Sequence, residues 1–408
     1  MTDDRQQHST DDEPRTCPFD FSDALDFDPE LADLMERGSI SRIRLPYGEA
    51  DAWLATDFHS VQQVTVDRRF SRAGIMGHDY PRMTPEPIVS PESVNVMDPP
   101  QSSRVRSLVS QAFTQERVDG MRERIVRLAD SLLDGMAEEG PPADLVRHLS
   151  DPFPQHTILE LLGIPREDWA RMRDLVLKLL VTGRDNKEAA AQVKTDLTGY
   201  FRTLVEQRRH TPGNDIISGM IAARDGQDQL DDQEMAVMTL TLVLSGQDTA
   251  TCQISNIVYL LLTRPELMDG LRRNPESLTD VIHELLRYIP FRKGVGIPRV
   301  ALEDVELDGV KIRAGEFVHV SYLTANRDPA RYPDPHTIDP ARPHAPHMTF
   351  GWGGHRCIGV PLALAELEVA VGRLLERFPG LRLAVPPGDL RWDAKTIRRF
   401  PVELPVSW

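Results

Sequence analysis

Residues 350–359 read FGWGGHRCIG, with glycines at 351, 353 and 354 and the run His355, Arg356, Cys357 directly after them. Glycine lets a backbone turn sharply and pass close to something flat or bulky. The stretch that follows, IGVPLALAELEVAVGRLLERFPG, has Pro361 suited to a first helical turn and Pro379-Gly380 as a stop. Cys357 is therefore expected at a helix N-terminus, where partial positive charge favours thiolate over thiol. Four readings follow for this sulfur: a buried structural cysteine beside a tight turn, a nucleophile working with His355, a zinc ligand, or the axial ligand of haem iron. Zinc is the weakest, because no second cysteine stands nearby.

Working outward, the chain has 408 residues, 40% of them hydrophobic, enough for one large core or two ordinary ones. Cys17, Cys252 and Cys357 are far apart and odd in number, which argues against a disulfide framework and for a reducing, cytoplasmic setting. The start, MTDDRQQHSTDDEPR, has no apolar core and many acids, so neither a signal peptide nor a membrane anchor is expected, and residues 1–20 read as a disordered tail. A formal net charge of -16 excludes nucleic acid as a general partner.

The architecture is written most plainly in DDQEMAVMTLTLVLSGQDTATCQISNIVYLLLTR, residues 231–264, which opens on acids and holds no proline. Apolar residues occupy nearly every face of its first half, so a buried central helix is predicted. Gln247, Asp248, Gln253 and Asn256 interrupt it where a membrane would tolerate them poorly. Residues 101–138, 155–210 and 276–289 show helical spacing. Asp308-Gly309 within VELDGVKI predicts a hairpin, and SRIRLPYGEADAWLA predicts another. Prolines crowd residues 329–346, a long irregular segment leading into the glycine-rich loop. The fold class expected is mainly α with small β-sheets, a single domain over residues 21–408.

Two further stretches narrow the choice. HELLRY (283–288) puts Glu284 and Arg287 three apart on one helix face, ordinarily a solvated contact. SGQDTA (245–250) sets Asp248 beside Thr249, whose hydroxyl can bond the carbonyl four residues back, while Gly246 weakens the helix locally.

Taken together, from about Ser41 to Trp408, the sequence resembles the cytochrome P450 family. FGWGGHRCIG fills the F-G-x-G-x-H-x-C-x-G signature, Glu284 and Arg287 fill E-x-x-R, and Arg342 in DPARP is similar to the third member of a buried Glu-Arg-Arg cluster. SGQDTA resembles the acid-alcohol motif of the long helix, with Ser245 a mild departure. MDPPQSSRVRSLVSQAFT resembles a common bacterial segment in which Arg106 matches a propionate-binding arginine, and Ser102 stands where a histidine is usual.

The resemblance implies haem b (iron protoporphyrin IX) as cofactor, with Cys357 as iron ligand and Arg106, Arg299, His355, Phe350, Gly351 and Gly359 around it. It implies Asp248 and Thr249 as the catalytic pair that delivers protons during oxygen activation, in a monooxygenase of specialised metabolites such as polyketides, macrolides or peptides. Oxidative ring formation or coupling is the alternative outcome. The pocket is expected at Leu242, Val243, Gly246, Val295, Gly296 and Ile397, together with stretches 73–96, 170–195, 293–297 and 396–398. Arg292 and Lys293 either meet a carboxylate or phosphopantetheine phosphate on the substrate or point to solvent. Electrons are expected from a ferredoxin and its ferredoxin reductase, docking near Arg104, Arg356 and Arg373. The substrate is a small molecule, free or bound to a carrier protein, and the chain a monomer.

Overall fold

A capping box opens the long apolar run: Asp231 Oδ1 accepts the Glu234 N–H at 2.8 Å, and Glu234 Oε2 accepts the Asp231 N–H at 3.0 Å. From this start the central helix runs Asp232–Thr263. The computed structural model describes residues 14–16, 24–84, 91–181, 187–223, 229–292, 295–342, 346–393 and 398–408. Met235, Leu240, Val243, Ile254, Ile257 and Leu261 are buried along the helix, each contributing about 1.5–3 kcal/mol by leaving water. Its hydroxyls do not oppose this burial. Thr239, Thr241, Thr249, Thr251, Ser255 and Thr263 each donate to the carbonyl four residues back, at 2.8–3.1 Å. Asn256 Nδ2 donates to the Arg399 carbonyl at 2.8 Å. Among the described residues no helix is long and apolar enough to cross a membrane.

Around this axis pack Lys187–His210, Pro152–Leu161 and Val360–Arg377. The longer helical stretches expected from sequence are broken into pieces: Gln101–Ser110, Gln115–Asp119 and Arg122–Glu139, then Pro152–Leu161, Trp169–Val181 and Lys187–His210. Each break has a local cause. Thr114 caps the second piece through its hydroxyl, and Gly163, at φ +73°, turns the chain after Leu161.

The main sheet has six strands in the order Arg15–Thr16, Ile40–Arg44, Ala52–Ala55, Phe317–Val320, Arg299–Ala301, Phe70–Ser71. Ile40–Arg44 and Ala52–Ala55 form the predicted antiparallel pair, with Ser41 opposite Leu54. Val305–Leu307 and Val310–Ile312 form the second, whose turn residues Asp308 and Gly309 both have positive φ, +47° and +78°. A three-stranded sheet joins Arg382–Leu383, Pro405–Ser407 and Ala143–Asp144. The expected tail is corrected at Arg15–Thr16, which pairs in parallel with Ile43–Arg44 because the Arg15 guanidinium reaches Glu30 at 3.2 Å and also Asp33. Residues 1–13 and 17–20, with Cys17, lie outside the described residues.

Beneath the glycine-rich loop, Glu284, Arg287 and Arg342 come together. Arg287 is buried and grips Glu284 with both arms, Nη2 to Oε1 at 2.7 Å and Nε to Oε2 at 2.8 Å. Arg342 Nε approaches Oε1 at 3.3 Å, and the Asp339 N–H donates to the same oxygen at 2.9 Å. The remaining Arg287 protons go to the carbonyls of Asn326, Pro335 and Thr337. An i,i+3 pair that reads as a surface contact in the sequence is thus an enclosed one, tying the helix Leu278–Tyr288 to the proline-rich segment. Glu284→Gln leaves two guanidinium groups without their counter-charge, a loss of about 3–5 kcal/mol; thermal unfolding is expected to begin at distinctly lower temperature, and an unchanged midpoint counts against this account.

Candidate functional site

The cysteine loop is closed by its own backbone. The Cys357 N–H donates to the Phe350 carbonyl at 2.8 Å, Gly351 to Met348 at 2.8 Å and Arg356 to Gly353 at 3.1 Å. Two of its glycines are required by conformation. Gly351 and Gly353 have φ of +75° and +66°, and a Cβ on Gly353 would lie 2.4 Å from the Thr65 carbonyl oxygen. No other protein atom comes within 4 Å of where a Cβ on Gly354 would sit. Side chains anchor the loop from outside. Thr349 Oγ1 donates to the Leu286 carbonyl at 2.7 Å, the Met348 N–H donates to Asn326 Oδ1 at 2.6 Å, and the half-buried Phe350 ring lies 5.7 Å from that of His347.

After the loop, Gly359 precedes the helix Val360–Arg377. Cys357 therefore stands two residues before the helix cap Gly359, and burial pushes the pKa of its free thiol up. The Gly359 N–H, then Arg106 and Arg356, offset only part of that. Yet the sulfur keeps accessible surface although it lies deep in the protein, which means that it faces an internal space. Cys252, by contrast, is buried, and burial followed by the charge of Asp248 raises its pKa strongly.

At the edge of this space positive groups crowd without anions. Arg299 is buried, and neither of its terminal nitrogens has a partner; the same holds for Arg72 Nε and His355 Nδ1. Arg106 donates to the Arg356 carbonyl. Burial, then the charges of Arg72, Arg299 and Arg106, push the His355 pKa down to about 2, so its ring is neutral. Arg72 falls to about 9 through burial, then the fields of Arg299, with Arg106 and Arg292 further down. Sequence reading missed Arg72, which stands with Arg68 and Arg69 in RRFSRAG and is marked out by no motif. Such an edge suits a flat group bearing a pair of carboxylates. Haem b has that form, and the residues fit it. Ser102 is buried at the foot of the same helix as Arg106.

On the central helix Thr249 Oγ1 donates to the Ser245 carbonyl at 3.0 Å, while the helix stays regular throughout. Asp248 is held by Arg398, whose Nε donates to Oδ2 at 2.5 Å. Thr241, Leu244, Ser245, Gly246, Asp248 and Thr249 keep accessible surface in the middle of a largely buried helix. The pocket positions expected beside them are corrected. Leu242 and Val243 are packed into the core, and a Cβ on Gly246 would sit 3.2 Å from Ile158. At 3.6 residues per turn, a shift of one or two positions carries a side chain to another face. Val295 is buried and Gly296 half-buried near Arg292, whereas Lys293, Thr396 and Ile397 lie outside the described residues.

Of the three arginines expected at a docking face, Arg104 pairs with Glu234, and Arg373 with Asp130 at 2.7 Å and Glu376 at 2.5 Å. Those two are corrected to intramolecular ion pairs, and Arg356 is the one left exposed. Gly353→Ala sets a β-carbon against the Thr65 carbonyl in a left-handed backbone, costing about 2 kcal/mol or more. The expected outcome is a lower unfolding midpoint than for Gly354→Ala, which meets nothing; equal midpoints would contradict the clamp.

Comparison with known proteins agrees with this geometry. The family model described as Cytochrome P450 matches residues 153–391. Over 395 residues the chain is 44% identical to nocardicin C N-oxygenase of Nocardia uniformis subsp. tsuyamanensis, covering 97% of this chain and 98% of that protein. It is 41% identical to mycinamicin IV hydroxylase/epoxidase of Micromonospora griseorubida, covering 97% and 99%. The crystal structure of cytochrome P450mel 107F1 with biaryl coupling reactivity superposes with a TM-score of 0.92 at 54% identity, covering 97% of this chain and all of that one. A thiol facing an internal space, cations awaiting a dicarboxylate and these likenesses along nearly the whole chain lead to one conclusion: the chain belongs to the cytochrome P450 family.

Proposed function

We propose that this monooxygenase hydroxylates or epoxidises an apolar specialised metabolite of the polyketide, macrolide or peptide kind. The observation that carries the reading is the accessible Cys357 sulfur set deep in the protein beside cations that have no protein anion. Two relatives named for oxygenating nocardicin C and mycinamicin IV support the substrate class. Haem b is the cofactor, and when bound it supplies dioxygen activation and one-electron chemistry. Cys357 would supply the sulfur that holds its iron, and the Gly359 N–H lies against that sulfur. Arg106, Arg299 and His355 would orient it through its propionates. Phe350, Gly351 and Gly359 keep the loop in shape beneath it.

Asp248 and Thr249 hold and pass the proton that the reaction consumes. The Thr249 hydroxyl rests on the Ser245 carbonyl, from which it can swing to donate elsewhere, and Arg398 keeps the Asp248 carboxylate in place. A ferredoxin, reduced by its reductase, docks on the face that bears Arg356. The protein works as a cytoplasmic monomer, one catalytic domain over residues 21–408, on a substrate that is free or held by a carrier protein. A second reading, oxidative coupling of aromatic rings, is favoured by one observation: the relative with biaryl coupling reactivity shares 54% identity. Labelled dioxygen separates the two, since its atom enters a hydroxylated or epoxidised product and is missing from a coupled one.

The reduced holoenzyme with carbon monoxide is expected to show the strongly red-shifted Soret band of a thiolate-ligated carbonyl complex. Cys357→Ala should lose that band while its far-ultraviolet dichroism stays helical; retention of the band would refute the ligand assignment. In Thr249→Ala, NADPH consumption should continue while product per NADPH falls severalfold and peroxide accumulates, and unchanged coupling would remove Thr249 from the proton path.

A further inference from the structure

Four guanidinium groups lie within one another's electrostatic reach around the space that Cys357 faces: Arg72, Arg106, Arg292 and Arg299. None of Arg72, Arg292 and Arg299 has a carboxylate partner among the described residues. The nearby acids are already engaged. Asp248 is held by Arg398, and Asp98 accepts from the Ser71 hydroxyl and from the backbone N–H of Arg72, leaving the Arg72 guanidinium to the Asn95 carbonyl at 3.0 Å. A haem's pair of propionates answers two of the four cations, and Arg106 and Arg299 are placed to receive them. Arg72 and Arg292 are left over, and unpaired positive charge in a protein interior is strongly unfavourable.

Arg292 is the one of these within electrostatic reach of Asp248 and Arg398, towards the central helix. Its backbone bridges to Arg398, the Arg399 N–H donates to the Phe291 carbonyl at 2.9 Å, and the neighbouring Gly296 leaves room for its guanidinium, since a Cβ there would stand 3.0 Å from Nη1. Its Nε is buried without a partner, yet the residue keeps some accessible surface while lying deep in the protein, as a side chain facing an internal space does. Burial, then the charge of Arg398, lowers its pKa to about 10, and Arg72 stands at about 9, so both remain cationic near neutral pH. Arginine presents a planar fork that suits oxyanions.

We infer that Arg292, backed by Arg72, is an anion-binding subsite of the substrate pocket, and that the substrate carries an ionised oxygen, as a carboxylate or an acidic phenol, on an otherwise apolar skeleton. This rests on the haem-thiolate reading above and narrows it to acidic substrates.

The test titrates the ferric holoenzyme at pH 7.5 and follows the Soret band. The probes are 2-naphthoate for a carboxylate, pentafluorophenol, ionised at this pH, for a phenolate, and methyl 2-naphthoate and pentafluoroanisole as their neutral counterparts. At least one anion is expected to bind tenfold or more tightly than its neutral counterpart, and whichever does identifies the source of the charge. Arg292→Gln should erase that preference at least tenfold while leaving the neutral probes and the carbonyl band unchanged. Arg72→Gln should weaken the anion in the same direction. Equal binding of acid and neutral partner, no response to either anion at millimolar concentration, or an Arg292→Gln loss shared by all probes would each overturn the subsite while the carbonyl band still upholds the haem-thiolate reading. Absence of that band in the unsubstituted protein would instead overturn the haem-thiolate reading, and the subsite with it.

Discussion

The Glu284 carboxylate accepts both arms of Arg287, the Nε of Arg342 and the N–H of Asp339, all inside the protein. Positive charge buried in this way must be met by negative charge, and the fold meets it in two manners. Beneath the loop the answer is internal, with Glu284 facing Arg287 and Arg342. On the other side of the loop Arg72, Arg299 and His355 keep buried nitrogens without protein partners. There the answer is left to a molecule from outside. The carbonyl of Leu286, the residue directly before Arg287, receives Thr349, and Asn326, whose own carbonyl caps Arg287, receives Met348. The rigid cluster thereby sets the position of the loop that carries the sulfur.

Much of the architecture was legible in residues. The uninterrupted apolar run after Asp231 and the Asp308-Gly309 turn spoke through local chemistry that tertiary structure did not override, and the order of SGQDTA, HELLRY and FGWGGHRCIG spoke through its likeness to a family. What escaped was the part decided by distant partners. No spacing joins Arg398 to Asp248 across 150 positions, and nothing local marks Arg72 as a neighbour of Arg299. Leu242, Val243 and Gly246 failed by angle, because a helix face is set by rotation about its axis and a pattern read from sequence leaves that rotation loose.

Hydroxyl groups show how a buried helix can carry chemistry without losing order. Six Ser and Thr side chains of the central helix are satisfied by its own carbonyls, so the helix asks nothing of its surroundings at those places. Thr249 differs from Thr251 and Ser255 in keeping accessible surface, and that difference of exposure is what fits it for work.

Asp248 meets Arg398, and Asn256 meets the Arg399 carbonyl, so the middle of the chain is completed by residues made about 150 positions later. During synthesis the central helix therefore leaves the ribosome long before its polar partners exist. A nascent chain stopped short of residue 399 has an unsealed active-site helix, with the acid and the amide still facing solvent. Contacts of such sequence separation form late and slowly. The site thus matures as one of the last events of folding, and protection of the exposed helix in that interval falls to whatever attends the growing polypeptide.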